Sequence, residues 1–342
     1  MMKYFSKIRK IQNLLLQFVI FAITYFFIYK QVFLKTDILS LWIHLKSGIL
    51  KPGYQVPLLI IVGLMFCNWF VEAIKWKYLI GKIEKISFCR AVQAVFTGVS
   101  ISTFTPNRVG EYIGRVFFLK TASHIEGILI TIVGSMAQLL VTVLLGSAAL
   151  IIFLSKYMPV MIFSHVYLYY SLLALVIFFD VLLIALFFKL SFLTILKEKI
   201  LHNGFKWFRK FFRVFAFYHT RELATVMVLS LTRYLIFSFQ FFLLIRFFNN
   251  PIPYCDAIVL IALIYFIMTL IPTIALTELG IRGSVAIYFF GFWFLKTNPG
   301  TDLFNAGILA ASVLLWMINL GIPAVIGTFF VFRLQFFRNP TN

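Results

Sequence analysis

Long apolar runs are the feature that most limits what this 342-residue chain can fold into. A helix needs about 20 consecutive apolar residues to cross a bilayer. Six runs reach that length, at residues 11–33, 57–80, 125–154, 166–188, 223–247 and 303–332. Composition agrees, because 62% of the residues are hydrophobic and 12% are charged, against roughly half and a quarter in soluble domains. The sequence therefore predicts an all-α, polytopic membrane protein with a single integral membrane domain over residues 1–342.

Two further apolar segments, residues 92–119 and 257–290, are interrupted by proline, glycine and charged residues. We interpret each as a broken or re-entrant helix, although two additional full spans fit the same end orientation. Non-helical backbone at membrane depth is tolerated only where it is packed in protein or lines a polar cavity. The segments divide the chain into a first half, residues 10–190, and a second half, residues 223–335. Paired broken segments in corresponding halves are typical of transporters, so an inverted repeat is one hypothesis.

The distribution of lysine and arginine predicts the orientation of the chain. Six basic residues fall in the segments that this orientation places outside. Twenty of the 31 fall in residues 1–10, 75–91, 119–126, 189–222 and 333–342. Because basic loops stay on the cytoplasmic side, we expect a multi-pass protein of the cytoplasmic (inner) membrane with both termini inside.

Residues 189–222 are the most basic segment, and they mix lysine and arginine with phenylalanine and tryptophan. This composition is typical of an amphipathic helix lying on anionic lipid at the cytoplasmic face. Simple control of topology by positive charge explains the same residues. Either interpretation assigns the net charge of +20 to the membrane, and neither supports nucleic-acid binding.

The first interrupted segment contains the sequence TPNRVGEYIGR. Pro106 can open a helix there, since its missing N–H costs nothing in a first turn. Arg108, Glu111 and Arg115 follow at spacings of three and four residues, so a helix places them on one face, where Glu111 can pair with either arginine. Two flanking glycines allow a second backbone or a ligand to approach closely. These glycines are Gly110 and Gly114.

The second interrupted segment contains the sequence LIPTIALTELGIRGS. Pro272 breaks the apolar run, and Glu278 and Arg282 stand four residues apart, a spacing that suits a helical ion pair. Gly280 and Gly283 lie beside them. Each half of the chain therefore has one apolar segment broken by proline, glycine, glutamate and arginine.

Ionisable residues within apolar runs point to a binding site for a lipid phosphate. Glu72 and Arg233 also lie within runs, and we place only Glu72, Glu111 and Glu278 of the 11 acidic residues there. Four embedded arginines then exceed the glutamates by one positive charge, as an anionic phosphate requires. The alternative is that the pairs neutralise one another and hold helices together. The predicted head-group site consists of Arg108, Glu111, Arg115, Glu278, Arg282 and Arg233.

The stretch PNRVGEYIGRVFFL resembles the Pro-x-Arg-x-Gly-Glu motif, followed by a further arginine, of the lysylphosphatidylglycerol synthase transmembrane region, a flippase-like multi-pass domain. IPTIALTELGIRGS and EAIKWKYLI are similar to two other features of that family. The resemblance covers residues 10–335. It implies translocation of lipid across the cytoplasmic membrane, in some members of aminoacylated phosphatidylglycerol. The residues that match the first motif are Pro106, Arg108, Gly110, Glu111 and Arg115.

The sequence departs from the family pattern in two places. Arg115 follows Glu111 by four residues, where the family often has three, and Glu278 precedes Gly280 instead of following the glycines. The soluble aminoacyl-transferase domain of full-length synthases is also missing from the sequence. We therefore expect no aminoacylating activity.

The leading functional hypothesis is a translocase for an anionic phospholipid or a polyprenyl-phosphate-linked lipid. A membrane accessory of a lipid- or glycan-modifying enzyme, and a membrane transferase, are the alternatives. We expect no catalytic residue, cofactor or metal, because the three cysteines are scattered and the five histidines do not cluster. The expected partners are anionic membrane lipids, and a second copy of the chain or a lipid-modifying enzyme remain open.

Overall fold

The computed structural model describes residues 55–105, 108–159, 166–189, 217–271, 275–297 and 302–332, together with six helical positions between 12 and 26. From residue 55 onward, the described residues form ten α-helices and one π-helical turn, without a strand. The helices are α1 Gln55–Ile80, α2 Phe88–Ser102, α3 Gly110–Val116, α4 His124–Tyr157, α5 Val166–Phe188, α6 Thr220–Phe247, α7 Tyr254–Leu270, α8 Ala275–Thr297, α9 Asp302–Trp316 and α10 Ile322–Val331, with the π-turn Met317–Gly321 joining α9 to α10.

Six helices in the described part of the chain are long and apolar enough to cross a membrane. Five of them coincide with predicted spans: α1, α4, α5, α6 and the continuous run of α9, the π-turn and α10. The sixth is Glu278–Leu295 in α8, within the segment that the sequence treats as interrupted. Most of the predicted span 11–33 lies outside the described residues, as do Pro106, Pro272 and residues 190–216 of the basic segment.

The first interrupted segment folds back on itself as α2 and α3. A Cβ on Gly110 would lie 2.5 Å from the carbonyl oxygen of Ile101, and one on Gly114 would lie 2.8 Å from the Cα of Gly98. As residue number rises along α3 it falls along α2, so the two helices run antiparallel. With 15 residues, α2 is roughly 22 Å long and shorter than the bilayer core. The two glycines therefore serve close packing of helix on helix.

The predicted position of Arg108 on the α3 helix was wrong. The helix begins at Gly110, whose backbone N–H donates to the side-chain oxygen of Thr105 at 2.8 Å. Arg108 precedes it with a φ of 57°. This left-handed conformation is uncommon for a residue with a Cβ, and such strain persists where the surrounding structure enforces it. Glu111 and Arg115 lie within α3 as predicted, but Arg108 lies outside the helix and does not share its face.

The second interrupted segment also consists of two helices. α7 ends at Leu270, and Ile271 follows in an extended conformation before α8 begins at Ala275. α8 brings Glu278 in its first turn and Arg282 one turn later. The break at this point agrees with the interruption predicted from sequence, and α8 is longer than that prediction implied.

The short helix α2 sits in the interior, packed against α1, α3 and α10. Ser100 of α2 donates its hydroxyl to the carbonyl oxygen of Ala324 in α10 at 2.6 Å. A Cβ on Gly327 would lie 2.0 Å from the carbonyl oxygen of Phe96. No side chain larger than glycine's hydrogen fits at that contact, so the backbones of α2 and α10 approach directly.

A carboxylate outside the membrane spans anchors the loop between α3 and α4. Glu84 accepts hydrogen bonds from the backbone N–H groups of Lys120, Thr121 and Ala122 at 2.8–3.0 Å. Partial burial of the side chain opposes ionisation, but these amides outweigh it and hold the pKa of Glu84 below its usual value. The loop after the first interrupted segment is therefore tied to the end of α1.

Candidate functional site

Glu72 is the centre of a buried ionic cluster that joins three helices. Its carboxylate accepts from Lys75 Nζ at 2.7 Å, from Arg115 Nη1 at 2.7 Å and from Arg233 Nη1. Lys75 lies one turn further along α1, whereas Arg115 comes from α3 and Arg233 from the middle of α6. One carboxylate thus provides the counter-charge for three cations.

Arg115 is almost completely buried within this cluster. Its side chain is 2% exposed, and its two terminal nitrogens contact different carboxylates, Glu72 and Glu111. Glu111 stands one turn earlier on the same helix, so it holds the guanidinium while Glu72 binds it across the helix interface. We refer to Glu72, Lys75, Glu111, Arg115 and Arg233 as the Glu72 cluster.

Arg233 connects the Glu72 cluster to an open space. Its Nε donates to the side-chain oxygen of Asn68 at 3.0 Å, and its guanidinium lies 5.3 Å from the ring centroid of Trp69. An arginine over the face of tryptophan gains from the ring quadrupole and is held flat. α1 therefore fixes Arg233 with three of its side chains.

A second ionic cluster joins the two interrupted segments. Arg108 Nη2 donates to both oxygens of Glu278, at 2.9 and 3.0 Å, although the two residues are 170 positions apart. Arg282, one turn along α8 from Glu278, donates to the same carboxylate. The Arg108 side chain is 42% exposed, whereas Glu278 is 8% exposed. We refer to Arg108, Glu278 and Arg282 as the Glu278 cluster.

Both clusters border one cavity of about 770 Å³. Its wall includes residues from α1, α4, α6, α7, α8 and the π-turn, and a substantial part of it is apolar. Sites of this size, mostly apolar with a few convergent polar groups, are typical of ligand pockets. The charged side chains on the wall are Arg108, Arg233, Glu278 and Arg282.

The charge balance of the two clusters is positive. The Glu72 cluster has three basic and two acidic side chains, and the Glu278 cluster has two basic and one acidic. Each therefore carries one excess positive charge in the described structure. Arginine remains charged at any physiological pH and binds phosphate oxygens with a planar fork. The cavity can thus accept an anion without an added counter-ion.

The structure brings together four of the six residues predicted to bind a head group. Arg108, Arg233, Glu278 and Arg282 line the cavity, but Glu111 and Arg115 lie behind its wall in the Glu72 cluster. The predicted pairing of Glu111 with an arginine is with Arg115, and Arg108 pairs instead with Glu278.

The two glycines of the second segment are placed differently from those of the first. Gly280 has open space around the position of a Cβ, whereas a Cβ on Gly283 would lie 2.6 Å from the end of the Leu309 side chain. Gly283 therefore allows α8 to pack against α9. No close contact accounts for Gly280.

The structure gives Lys75 a place in the Glu72 cluster that the sequence analysis did not predict. The count of basic residues placed it in a cytoplasmic segment, 75–91, yet α1 continues to Ile80 and buries the Lys75 side chain to 1% exposure. Its neighbourhood explains the difference, since the carboxylate of Glu72 one turn away neutralises it. With Lys75 included, the two ionic clusters together carry an excess of two positive charges.

Asp180 was also overlooked. It lies within α5, an otherwise uncharged helix of 23 residues, and accepts a hydrogen bond from the hydroxyl of Ser147 in α4 at 2.6 Å. The statement that only three acidic residues occur within apolar runs was therefore wrong. A single aspartate inside the run 166–188 was a visible signal.

Comparison with known proteins identifies one family. The model of the "Lysylphosphatidylglycerol synthase TM region" matches residues 14–320. That range includes both ionic clusters and the cavity. No curated protein and no solved structure matches the chain.

Proposed function

We propose that this chain, which belongs to the lysylphosphatidylglycerol synthase transmembrane-region family, moves an anionic lipid across the membrane by way of the cavity between its two interrupted segments. Family membership supports a membrane role connected with lipids. The observation that carries the proposal further is the cationic wall of the cavity. Three arginines, Arg108, Arg233 and Arg282, line the cavity with one carboxylate, that of Glu278.

The geometry suits a lipid phosphate because the arginines come from separate elements around one space. Arg108 precedes α3, Arg233 is in α6 and Arg282 is in α8. A phosphate has several acceptor oxygens, so it can contact guanidiniums from different directions. The apolar part of the wall gives acyl chains a surface to follow. A phospholipid or a polyprenyl-phosphate-linked lipid has this combination of groups.

Transport, as opposed to enzymatic chemistry, is favoured by the ion pairs of the three carboxylates in the two clusters. A general base needs a lone pair directed at the substrate. Glu72 and Glu278 each accept from at least two cations, and Glu111 is bound by Arg115. These carboxylates orient arginines, and we assign none of them a catalytic role.

Substitution of Arg108 tests the proposal. Arg108→Lys replaces a planar fork by a point charge, and Arg108→Ala removes the charge, so retention of phosphatidylglycerol should fall with lysine and fall further, about tenfold or more, with alanine. The measurements are lipid co-purification by mass spectrometry and movement of labelled lipid in reconstituted vesicles. Arg246→Ala, an exposed arginine in the last turn of α6, is the control for the change in net charge.

The outcome separates the lipid-translocase proposal from the accessory role. Wild-type retention and transport in both Arg108 variants would contradict a phosphate site in the cavity and favour a membrane accessory of another enzyme. Loss of retention in Arg246→Ala to the same extent would show that net charge alone controls lipid binding.

We propose further that both termini are cytoplasmic, because the basic segments fall on one side of that arrangement. Lys85 and Pro251 are exposed and lie in segments assigned to opposite sides. In a variant with Cys67, Cys89 and Cys255 replaced by alanine, Pro251→Cys should react with an impermeant maleimide in intact cells. Lys85→Cys should react only after permeabilisation, and the reverse pattern would invert the topology.

A further inference from the structure

The π-turn between α9 and α10 presents an uncharged polar residue to the cavity. Asn319 lies on the cavity wall and is 6% exposed. π-helical turns are rare and occur frequently at functional sites. This residue carries no charge, and the arginine–phosphate contacts proposed above do not involve it.

Hydrogen bonds fix which way the amide of Asn319 faces. Gln240 Nε2 donates to the backbone carbonyl of Ile61 at 2.8 Å, so Gln240 Oε1 faces Asn319 and accepts from its Nδ2 at 2.7 Å. Asn319 Nδ2 also donates to the carbonyl of Leu315 at 3.2 Å. A carbonyl oxygen only accepts, so exchanging N and O in either amide would set acceptor against acceptor. Asn319 Oδ1 is therefore held as an acceptor.

This oxygen has no hydrogen-bond donor among the described residues, although it is buried. Gln138 Oε1 of α4, on the same cavity wall, is in the same state. Leaving a buried acceptor unpaired is costly, and such groups in a folded protein call for an explanation. Two amide acceptors on different helices border the cavity that also holds the arginines.

We infer that Asn319, together with Gln138, reads the head group of the lipid by accepting a hydrogen bond from a hydroxyl or ammonium group. The inference rests on the proposed function, because it requires a lipid phosphate at the arginines. It adds a selection rule: among lipids with the same phosphate charge, those with a donor beyond the phosphate bind more tightly. Arg108, Arg233 and Arg282 hold the phosphate, and Asn319 distinguishes what is attached to it.

The test compares two lipids that differ only in the head group. Phosphatidylglycerol and phosphatidylethanol of identical acyl chains carry the same phosphodiester charge, but only the glycerol has hydroxyl donors. Purified protein is equilibrated with an equal mixture, and the retained lipids are measured by mass spectrometry. Wild type should retain phosphatidylglycerol about tenfold over phosphatidylethanol, the size of effect expected from one buried acceptor satisfied or unsatisfied.

Asn319→Leu should abolish this preference without reducing retention of phosphatidylethanol. The control is Ser312→Ala, which removes a buried hydroxyl without a hydrogen-bond partner in the described structure, in α9 but off the cavity wall. It should leave the preference unchanged. If Asn319→Leu does not fold, Gln138→Leu decides the question, because it removes the second acceptor from a side chain that is only partly buried.

Each result has one meaning. Equal retention of both lipids by wild type, or a preference unchanged in the deciding variant, overturns the inference that Asn319 and Gln138 together read the head group, while the phosphate site stands. Retention of neither anionic lipid by wild type removes the proposed function itself. Loss of phosphatidylethanol together with phosphatidylglycerol in the folded variant assigns Asn319 a structural role and also overturns the inference.

Discussion

The two ionic clusters consist of similar types of side chain but differ in how far those side chains are exposed. In each cluster, a glutamate binds an arginine from a different segment of the chain. Basic side chains outnumber carboxylates in both. In the Glu72 cluster, Lys75 and Arg115 are 1% and 2% exposed, whereas Arg108 in the Glu278 cluster is 42% exposed. The first cluster reaches the cavity through Arg233 alone, whereas all three members of the second cluster line it. We expect the exposure of Arg108, more than residue type, to distinguish the proposed ligand site from a cluster that holds helices together.

The largest effect is expected from Glu72→Gln. The substitution keeps the shape of the side chain but leaves Lys75, Arg115 and Arg233 with Glu111 as the remaining carboxylate of the cluster. Removing one partner of a buried ion pair costs about 3–5 kcal/mol, so the yield of folded protein in detergent should collapse. Size-exclusion chromatography and thermal unfolding measure this loss. A well-folded Glu72→Gln protein would show that the cluster does not clamp the helices.

Glu278→Gln should reduce stability less than Glu72→Gln does, and it should increase the retention of anionic lipid. The guanidiniums of Arg108 and Arg282 lose the carboxylate that competes with a phosphate for them. Destabilisation should be about 1–3 kcal/mol, because lipid or water can reach the cavity. Retention of anionic lipid should rise above the wild-type level in co-purification. Reduced retention in a folded Glu278→Gln protein would break the contrast between the clusters.

The smallest effect is expected from Glu84→Gln, where the partners of the carboxylate are neutral amides near the surface. At neutral pH the loss should be about 0.5 kcal/mol after solvent screening. The pKa of Glu84 is lowered in the folded protein, so its stabilisation is present above the unfolded value of about 4.3 and is lost as the pH falls through the folded pKa.

Thermal unfolding of wild type and Glu84→Gln across pH checks this sign. The two midpoints should differ at pH 7 and converge in acid below the ordinary glutamate range. A difference that persists unchanged in acid would mean that the charge of Glu84 does not anchor the loop.

Local spacing made part of the site predictable. The pairs Glu111 with Arg115 and Glu278 with Arg282 follow from a separation of four residues, which any helix brings together. The apolar runs likewise gave the class of fold and most of its spans, because a bilayer imposes a minimum helix length. These conclusions depend only on neighbours in the chain.

Contacts between segments that are distant in the sequence could not be predicted from local spacing. The bond from Arg108 to Glu278 depends on a left-handed residue before α3 and on how α8 approaches it. The burial of Lys75 was not predicted, since counting basic residues treats each lysine near a helix end as exposed. Asn319 gives no charge signal at all, and only the π-turn and the contact with Gln240 single it out.

The glycine contacts of α2 have a mechanical consequence. The backbones are in direct contact at Gly98 with Gly114 and at Gly327 with Phe96. Because no side chain separates the helices at these points, we expect α2, α3 and α10 to move as one rigid unit, referred to here as a block. If the proposed transport takes place, we expect the cavity to open by movement of the second interrupted segment against this block, with breakage of the Arg108–Glu278 ion pair. A disulfide joining α2 to α10 should leave transport unimpaired, and arrest of transport by it would place the movement inside the block.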